Sequence, residues 1–352
     1  MGTKATRSNT TSVDTTLAAN ITATQDYIPV ASTTNFSTSV VAEIETTNEV
    51  VSFDSITTNR FLYSQTFDNA YWKLTQVTLT ANAGAAPDGT NTAYKVTPTT
   101  ANRTDQRLYR QYFNSTNTTI SMFAKPAGYD YMNMTLQSGA DTTQGVQFNL
   151  ATGVVVTSQN ATGTITDAGN GWYRCSLTPT TDTESQHAMF HPSNGATPSG
   201  DYFRPAAWSG DGTSGVLMWG AQAEAQSTAL TGYLPTTSAS LSGLTTVTRG
   251  VNGTTAASAS SGDSIQQLPF ALTGLDIPIR LKGITVSSDG NGAGRLTLCD
   301  NQGDTLCDVD IPDDKLCELS FGGGILFPNG IFISNSDNIT AYTLYTDFGG
   351  TL

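Results

Sequence analysis

Apolar and polar residues alternate with a period of two in segments such as Ser121-Met122-Phe123-Ala124 and Tyr131-Met132-Asn133-Met134-Thr135-Leu136. Successive side chains of a strand point to opposite faces, so each of these runs puts one apolar face inward. Turn residues such as Pro87-Asp88-Gly89 and Asn170-Gly171 punctuate them. Only 13% of the residues are charged, and Thr, Ser, Asn, Gly and Ala fill the space they leave. That composition favours extended strands and tight turns over helices built from Glu, Lys, Leu and Arg. The sequence predicts an all-β protein, and 352 residues suffice for two or three domains with separate cores.

Charge and hydropathy exclude some roles. A net charge of -13 with scattered Lys and Arg argues against nucleic acid as a partner, because phosphate neutralisation needs clustered cations. The first residues lack an apolar signal core, and no stretch approaches the ~20 apolar residues of a membrane span. The four cysteines, Cys175, Cys299, Cys307 and Cys317, are too few for a disulfide scaffold and suggest free thiols. Cys299 and Cys307 flank a turn at Asn301-Gln302-Gly303. A three-residue loop would let them face each other, whereas a loop of two or four would place them on opposite faces.

Two segments far apart in sequence complete each other. Glu43, Ile44, Glu49, Val50, Phe53 and Ile56 lie in the first, and the run from Thr248 through Arg249, Gly250, Asn252 and Gly253 to Ala257 lies in the second. Together they resemble a small β domain that recurs in proteins of tailed bacteriophages, here cut in two. The resemblance implies a discontinuous anchor domain, 1–58 plus 240–268, that carries an insert.

The insert, 60–238, holds all four tryptophans and both histidines. Residues 59–73 (NRFLYSQTFDNAYWK), 86–90 (APDGT), 120–126 (ISMFAKP), 146–153 (VQFNLATG), 169–175 (GNGWYRC), 210–215 (GDGTSG), 219–224 (WGAQAE) and 233–236 (YLPT) span it. They resemble a carbohydrate-binding-module-like jelly-roll domain of phage tail and surface proteins. The resemblance implies a jelly-roll β-sandwich, with Trp72, Trp172 and Trp219 packed in or near its core. The remainder, 269–352, alternates as strands separated by Gly, Asp and Asn turns, which predicts a second, sandwich-like β domain. Its run 322–333 (GGGILFPNGIFI) is similar to one in marine-phage structural proteins.

A sugar site needs an aromatic face for the pyranose and polar groups for its hydroxyls. Trp208, Tyr202, Arg204, Asp201 and Asp211 form the best such cluster, in a loop-like stretch where an aromatic is not obviously needed for a core. Packing at the sandwich edge is the competing role for Trp208. His187 and His191, four residues apart on one strand face, are expected to face solvent rather than hold a metal, since no third ligand lies near. The acidic residues Asp300, Asp304, Asp308, Asp310, Asp313 and Asp314 do not have the spacing of a calcium loop and are expected at turns and strand edges. No nucleophile elbow, phosphate loop, zinc motif or cofactor fingerprint is present, although paired carboxylates for glycoside hydrolysis can come from any two Asp that converge in a fold.

The expectation is a non-enzymatic virion surface protein assembled in the bacterial cytoplasm, of the capsid-decoration, cement or head-fibre type. Its expected partners are other virion proteins and itself, as a homotrimer. A tail or fibre component binding host-surface glycan is the alternative, and a polysaccharide hydrolase the third.

Overall fold

The structure is a computed structural model. It describes residues 13–34, 36, 40–47, 49–115, 118–138, 143–180, 185–198, 203–225, 230–251, 254–267, 279–288, 292–299, 305–313, 315–327 and 331–348. Among these every regular element is a strand, so the all-β expectation holds. The chain divides into two compact units, 1–56 with 243–352, and 57–242.

The strands begin with β1 (Val13–Thr16), β2 (Tyr27–Val30), β3 (Val40–Ile44) and β4 (Glu49–Asn59). Twelve follow within the second unit: β5 (Lys73–Thr75), β6 (Val77–Thr80), β7 (Tyr94–Pro98), β8 (Arg107–Ser115), β9 (Thr118–Ala127), β10 (Tyr131–Ser138), β11 (Thr143–Asn149), β12 (Val154–Gln159), β13 (Ala161–Gly169), β14 (Trp172–Pro179), β15 (Ser185–Ser193) and β16 (Gly215–Ala225). The chain then forms β17 (Leu241–Val251) and β18 (Ser264–Gln267), and ends with β19 (Ile279–Ser288), β20 (Gly294–Cys299), β21 (Thr305–Ile311), β22 (Leu316–Phe327), β23 (Phe332–Asp337) and β24 (Ile339–Phe348).

One sheet, in the order β1-β18-β3-β4-β17-β2, draws on both distant segments of the split domain. Ala31 N donates to Thr16 O at 2.9 Å and Ala18 N to Pro29 O at 3.0 Å, which brings the two sheet edges together into a nearly closed barrel. In β4 the period of two is visible in burial: Val51 and Phe53 point inward and join Ile28, Ile44, Leu244 and Ile265 in the core.

The second unit is a sandwich of two six-stranded sheets, β12-β11-β10-β15-β8-β5 and β13-β14-β9-β16-β7-β6. The chain crosses between sheets at β7, β8, β9 and β10 and again at β14, β15 and β16, as in a jelly roll. Between the sheets lies a core containing Phe61, Trp72, Met132, Met134, Phe148, Phe190 and Met218. The alternation of β10 is what divides it: Met132, Met134 and Leu136 face the core, and Asn133 and Thr135 face away. A separate cluster of Phe123, Trp172, Trp219, Ala86 and Ala93 packs on the far side of the β9-containing sheet.

The last six strands form two three-stranded sheets, β22-β19-β24 and β21-β20-β23, that share a core including Leu281, Ile284, Val286, Leu296, Leu298 and Phe327. Strand β22 runs through the glycines Gly322, Gly323 and Gly324, where the sequence predicts a Gly turn between strands. Gly322 and Gly324 adopt φ of +47° and +83° inside it, and the β19 partner register shifts there. The glycine run is therefore an irregularity within a strand rather than the turn that precedes one.

Candidate functional site

Of the five residues singled out for sugar contact, Asp201 and Tyr202 lie outside the described residues. Trp208 is 8% exposed, with its ring edge-on to Tyr129 at 4.9 Å between centroids. Its backbone pairs with Arg103 in both directions, and its carbonyl also accepts from Gln106 Nε2 at 3.0 Å. It is thus placed as a packing residue at the sandwich edge and offers no open aromatic face. Asp211 is exposed, but its Oδ1 accepts from the backbone N–H of Thr213 at 2.7 Å and of Ser214 at 2.6 Å. Hydrogen bonds from Ser214 and Thr213 hold its carboxyl well below the usual carboxylate range. Asp211 is a turn cap. Arg204 is half-buried beside the histidines, whose titration its charge influences.

The histidines depart from expectation. The even spacing does put both on one face of β15, yet His191 is fully buried and His187 half-buried. Burial, followed by the positive charges of Arg107 and Arg204, pushes the His191 imidazole well below its ordinary range. The solvent-facing expectation fails because the described residues of the connection after β15 lie against this face. Gln147 Nε2 donates to Ala196 O at 2.9 Å, and a Cβ on Gly145 would lie 2.1 Å from the Phe203 ring.

That face is polar. Asn133 pairs in register with Gln147 on one side and His191 on the other, and the Phe190–Leu108 pairing places Arg107 next to His191. Thr135 lies on the same face, opposite Gly145. Both histidines of the chain and the cations Arg107 and Arg204 meet here, while Asp105 is held by Arg103 at 3.0 Å.

The motif shared between the distant halves has a different role. Glu49, fully buried, receives Arg249 Nε on Oε1 and Nη2 on Oε2, both at 2.7 Å. Gly250 N and Ala257 N each donate to the same carboxylate at 3.0 Å. Arg249 also donates to Thr22 O at 2.6 Å and Ala257 O at 2.7 Å. Burial alone would raise the Glu49 carboxyl, but the hydrogen bonds from Arg249, Ala257 and Gly250, with the charge of Arg249, outweigh it and hold the pKa below the ordinary value. Gly250 has φ of +64°, and a Cβ there would lie 2.9 Å from Ala256 N, so only glycine fits. The matched residues form a clamp that binds the second half of the split domain to the first.

All four cysteines are free thiols. The β20–β21 register sets Cys307 opposite Leu298 and Cys299 opposite Thr305, which leaves the two sulfurs out of step. Asp308 pairs with Arg295 and accepts from Thr297 Oγ1 at 2.8 Å, which lowers its pKa to about 2. Asp313 accepts from Gly292 N at 3.0 Å. Asp300, Asp304 and Asp314 lie outside the described residues. Among the described residues no three His, Cys, Asp or Glu side chains gather as a metal site, and no helix is long and apolar enough to cross a membrane.

No protein-family model matches the chain, and no curated protein is similar to it.

Proposed function

We infer that the chain is a non-enzymatic structural protein of a tailed-bacteriophage virion, of the capsid-decoration, cement or head-fibre type. In this reading the split barrel attaches to the particle and the sandwich is the displayed module. The observation that carries it is the junction. The insert leaves the barrel along β4 and returns along β17, which are neighbours in one sheet. Hydroxyl pairs Ser55–Thr245 and Thr58–Ser242, each 2.8 Å, join the outgoing strand to the returning one. The clamp of Glu49 on Arg249 holds the same two segments farther along. A module entered and left at one point can be carried without rebuilding its host, which is what a display protein requires.

The packing role of Trp208 and the turn role of Asp211 favour this reading over glycan capture through their loop. The partners are other virion proteins and further copies of the chain, as a homotrimer. Mass spectrometry of gradient-purified particles tests the reading. The chain is expected at a stoichiometry set by particle symmetry, and its absence from intact particles would overturn the assignment.

A further inference from the structure

Among the described residues of the sandwich, the exposed large hydrophobic side chains are Leu74 on β5 and Val154, Val155 and Val156 on β12. Single exposed apolar residues are ordinary on a protein surface, but three in succession on one strand call for a cover. The two strands that carry them are the two edges of one sheet, β12-β11-β10-β15-β8-β5, so each has a side without a partner strand in that sheet.

The two edges match in direction, face and charge. All five pairings of the sheet are antiparallel, so β12 and β5 run in opposite directions. The β5 of a second copy laid beside β12 therefore continues the same alternation. Leu74 stands opposite Leu108 and Val155 opposite Phe148, both core residues. Opposed residues share a face, so Leu74 and Val155 lie on the core-side face at its two rims and meet when the sheet is continued. Lys73, exposed beside Leu74, is a cation. The exposed carboxylate of Asp167 stands near the Val154 end of β12, because its register partner Tyr173 has its ring where a Cβ on Gly153 would lie, 2.7 Å away. Neither charge is in an ion pair among the described residues.

We propose that β12 of one copy docks head to tail against β5 of the next, and that this contact closes the ring of three. The proposal rests on the homotrimer reading above. A contact between unlike patches repeats around a ring, whereas a two-fold contact would set β12 against β12. β5 is three residues long, and the register shift between Gln147 and Phe148 leaves Val156 unpaired. Short edges and bulges deter stray strands, so Leu74 packed on the valines makes the contact rather than a long backbone ladder.

Disulfide trapping on the full chain tests it, since opposed residues of adjacent strands lie within the ~4.4–6.8 Å between Cα atoms that a disulfide spans. Leu74→Cys and Val155→Cys chains, carrying different tags, are co-expressed and oxidised. The pair is expected to give reducible dimers that carry both tags. Each variant alone, and the native chain, whose four thiols are buried or half-buried, are expected to give none. Leu74→Lys and Val154→Lys, with melting curves confirming that they fold, are each expected to lower the mass in light scattering threefold. Dimers from Val155→Cys alone would mean that β12 meets itself across a two-fold axis and would overturn the proposal. A mass of three chains without mixed dimers would also overturn it while leaving the trimer on another surface. A single-chain mass without cross-links would sink the trimer reading as well. Mixed dimers in a ring of another size would keep the contact and correct the number of copies.

Discussion

Arg249→Ala is expected to be among the most damaging single substitutions in the split barrel. It removes both 2.7 Å contacts to Glu49 and leaves a fully buried carboxylate with only the Gly250 and Ala257 N–H groups. Breaking one side of a buried ion pair costs about 3–5 kcal/mol, because the remaining charge stays desolvated. For a unit of this size each kcal/mol lowers Tm by about 2–4 °C, so the expected fall is ~6–20 °C. Scanning calorimetry of the full chain is the assay. The transition of the split domain should move, and that of the sandwich should not, because both residues lie in the first of the two compact units. The double variant Glu49→Leu/Arg249→Met should be less destabilised than Arg249→Ala, since it buries no lone charge. The clamp also has a pH signature. The folded pKa of Glu49 lies below its unfolded value near 4.5, so its contribution is complete above that value and is lost as pH falls through the folded pKa. A loss under 1 kcal/mol for Arg249→Ala would refute the view that this pair joins the two halves.

Trp208→Ala should lower the melting temperature of the sandwich, by about 3 kcal/mol or ~6–12 °C, because a buried ring against Tyr129 is removed; an unchanged Tm would return Trp208 to the surface. His191 titrates in the opposite sense to a histidine that gains an acidic partner. Its folded pKa is depressed by burial and by Arg107 and Arg204, with His187 on the same face and Asp105 the compensating carboxylate. Its stabilisation is therefore present above pH ~6.5 and is lost at up to about 1.4 kcal/mol per pH unit below it, which a Tm series from pH 7.5 to 5.5 on native and His191→Gln chains would show as a steeper slope in the former, the variant keeping the smaller contribution of His187, whose pKa is lowered too. Multi-angle light scattering of the purified chain is expected to give the mass of three chains, and a monomer at high concentration would count against a self-standing trimer.

The strand character of the chain was legible because burial in β4 and β10 follows the period of two that their residues display. What covers a strand face was not. The spacing of His187 and His191 told that they share a face, but their exposure depends on Ala196 and Phe203, which reach that face from a connection without periodicity. The polar row was invisible for the same reason: Asn133, Gln147 and His191 are 14 to 58 residues apart and meet only through strand register. The Glu49–Arg249 pair, 200 residues apart, stood out as matching segments but not as an ion pair. Trp208 was misleading because a loop-like stretch need not be an exposed one, and its Tyr129 partner comes from the turn before β10.

The central claim is that the split barrel carries the sandwich on a virus particle. Electron microscopy of particles that encode this chain, labelled with gold-conjugated antibodies raised against residues 57–242, tests it most directly. The account predicts gold at regularly spaced positions on the outer surface of intact capsids or tails. Gold confined to unassembled protein, with bare particles in the same field, would contradict it.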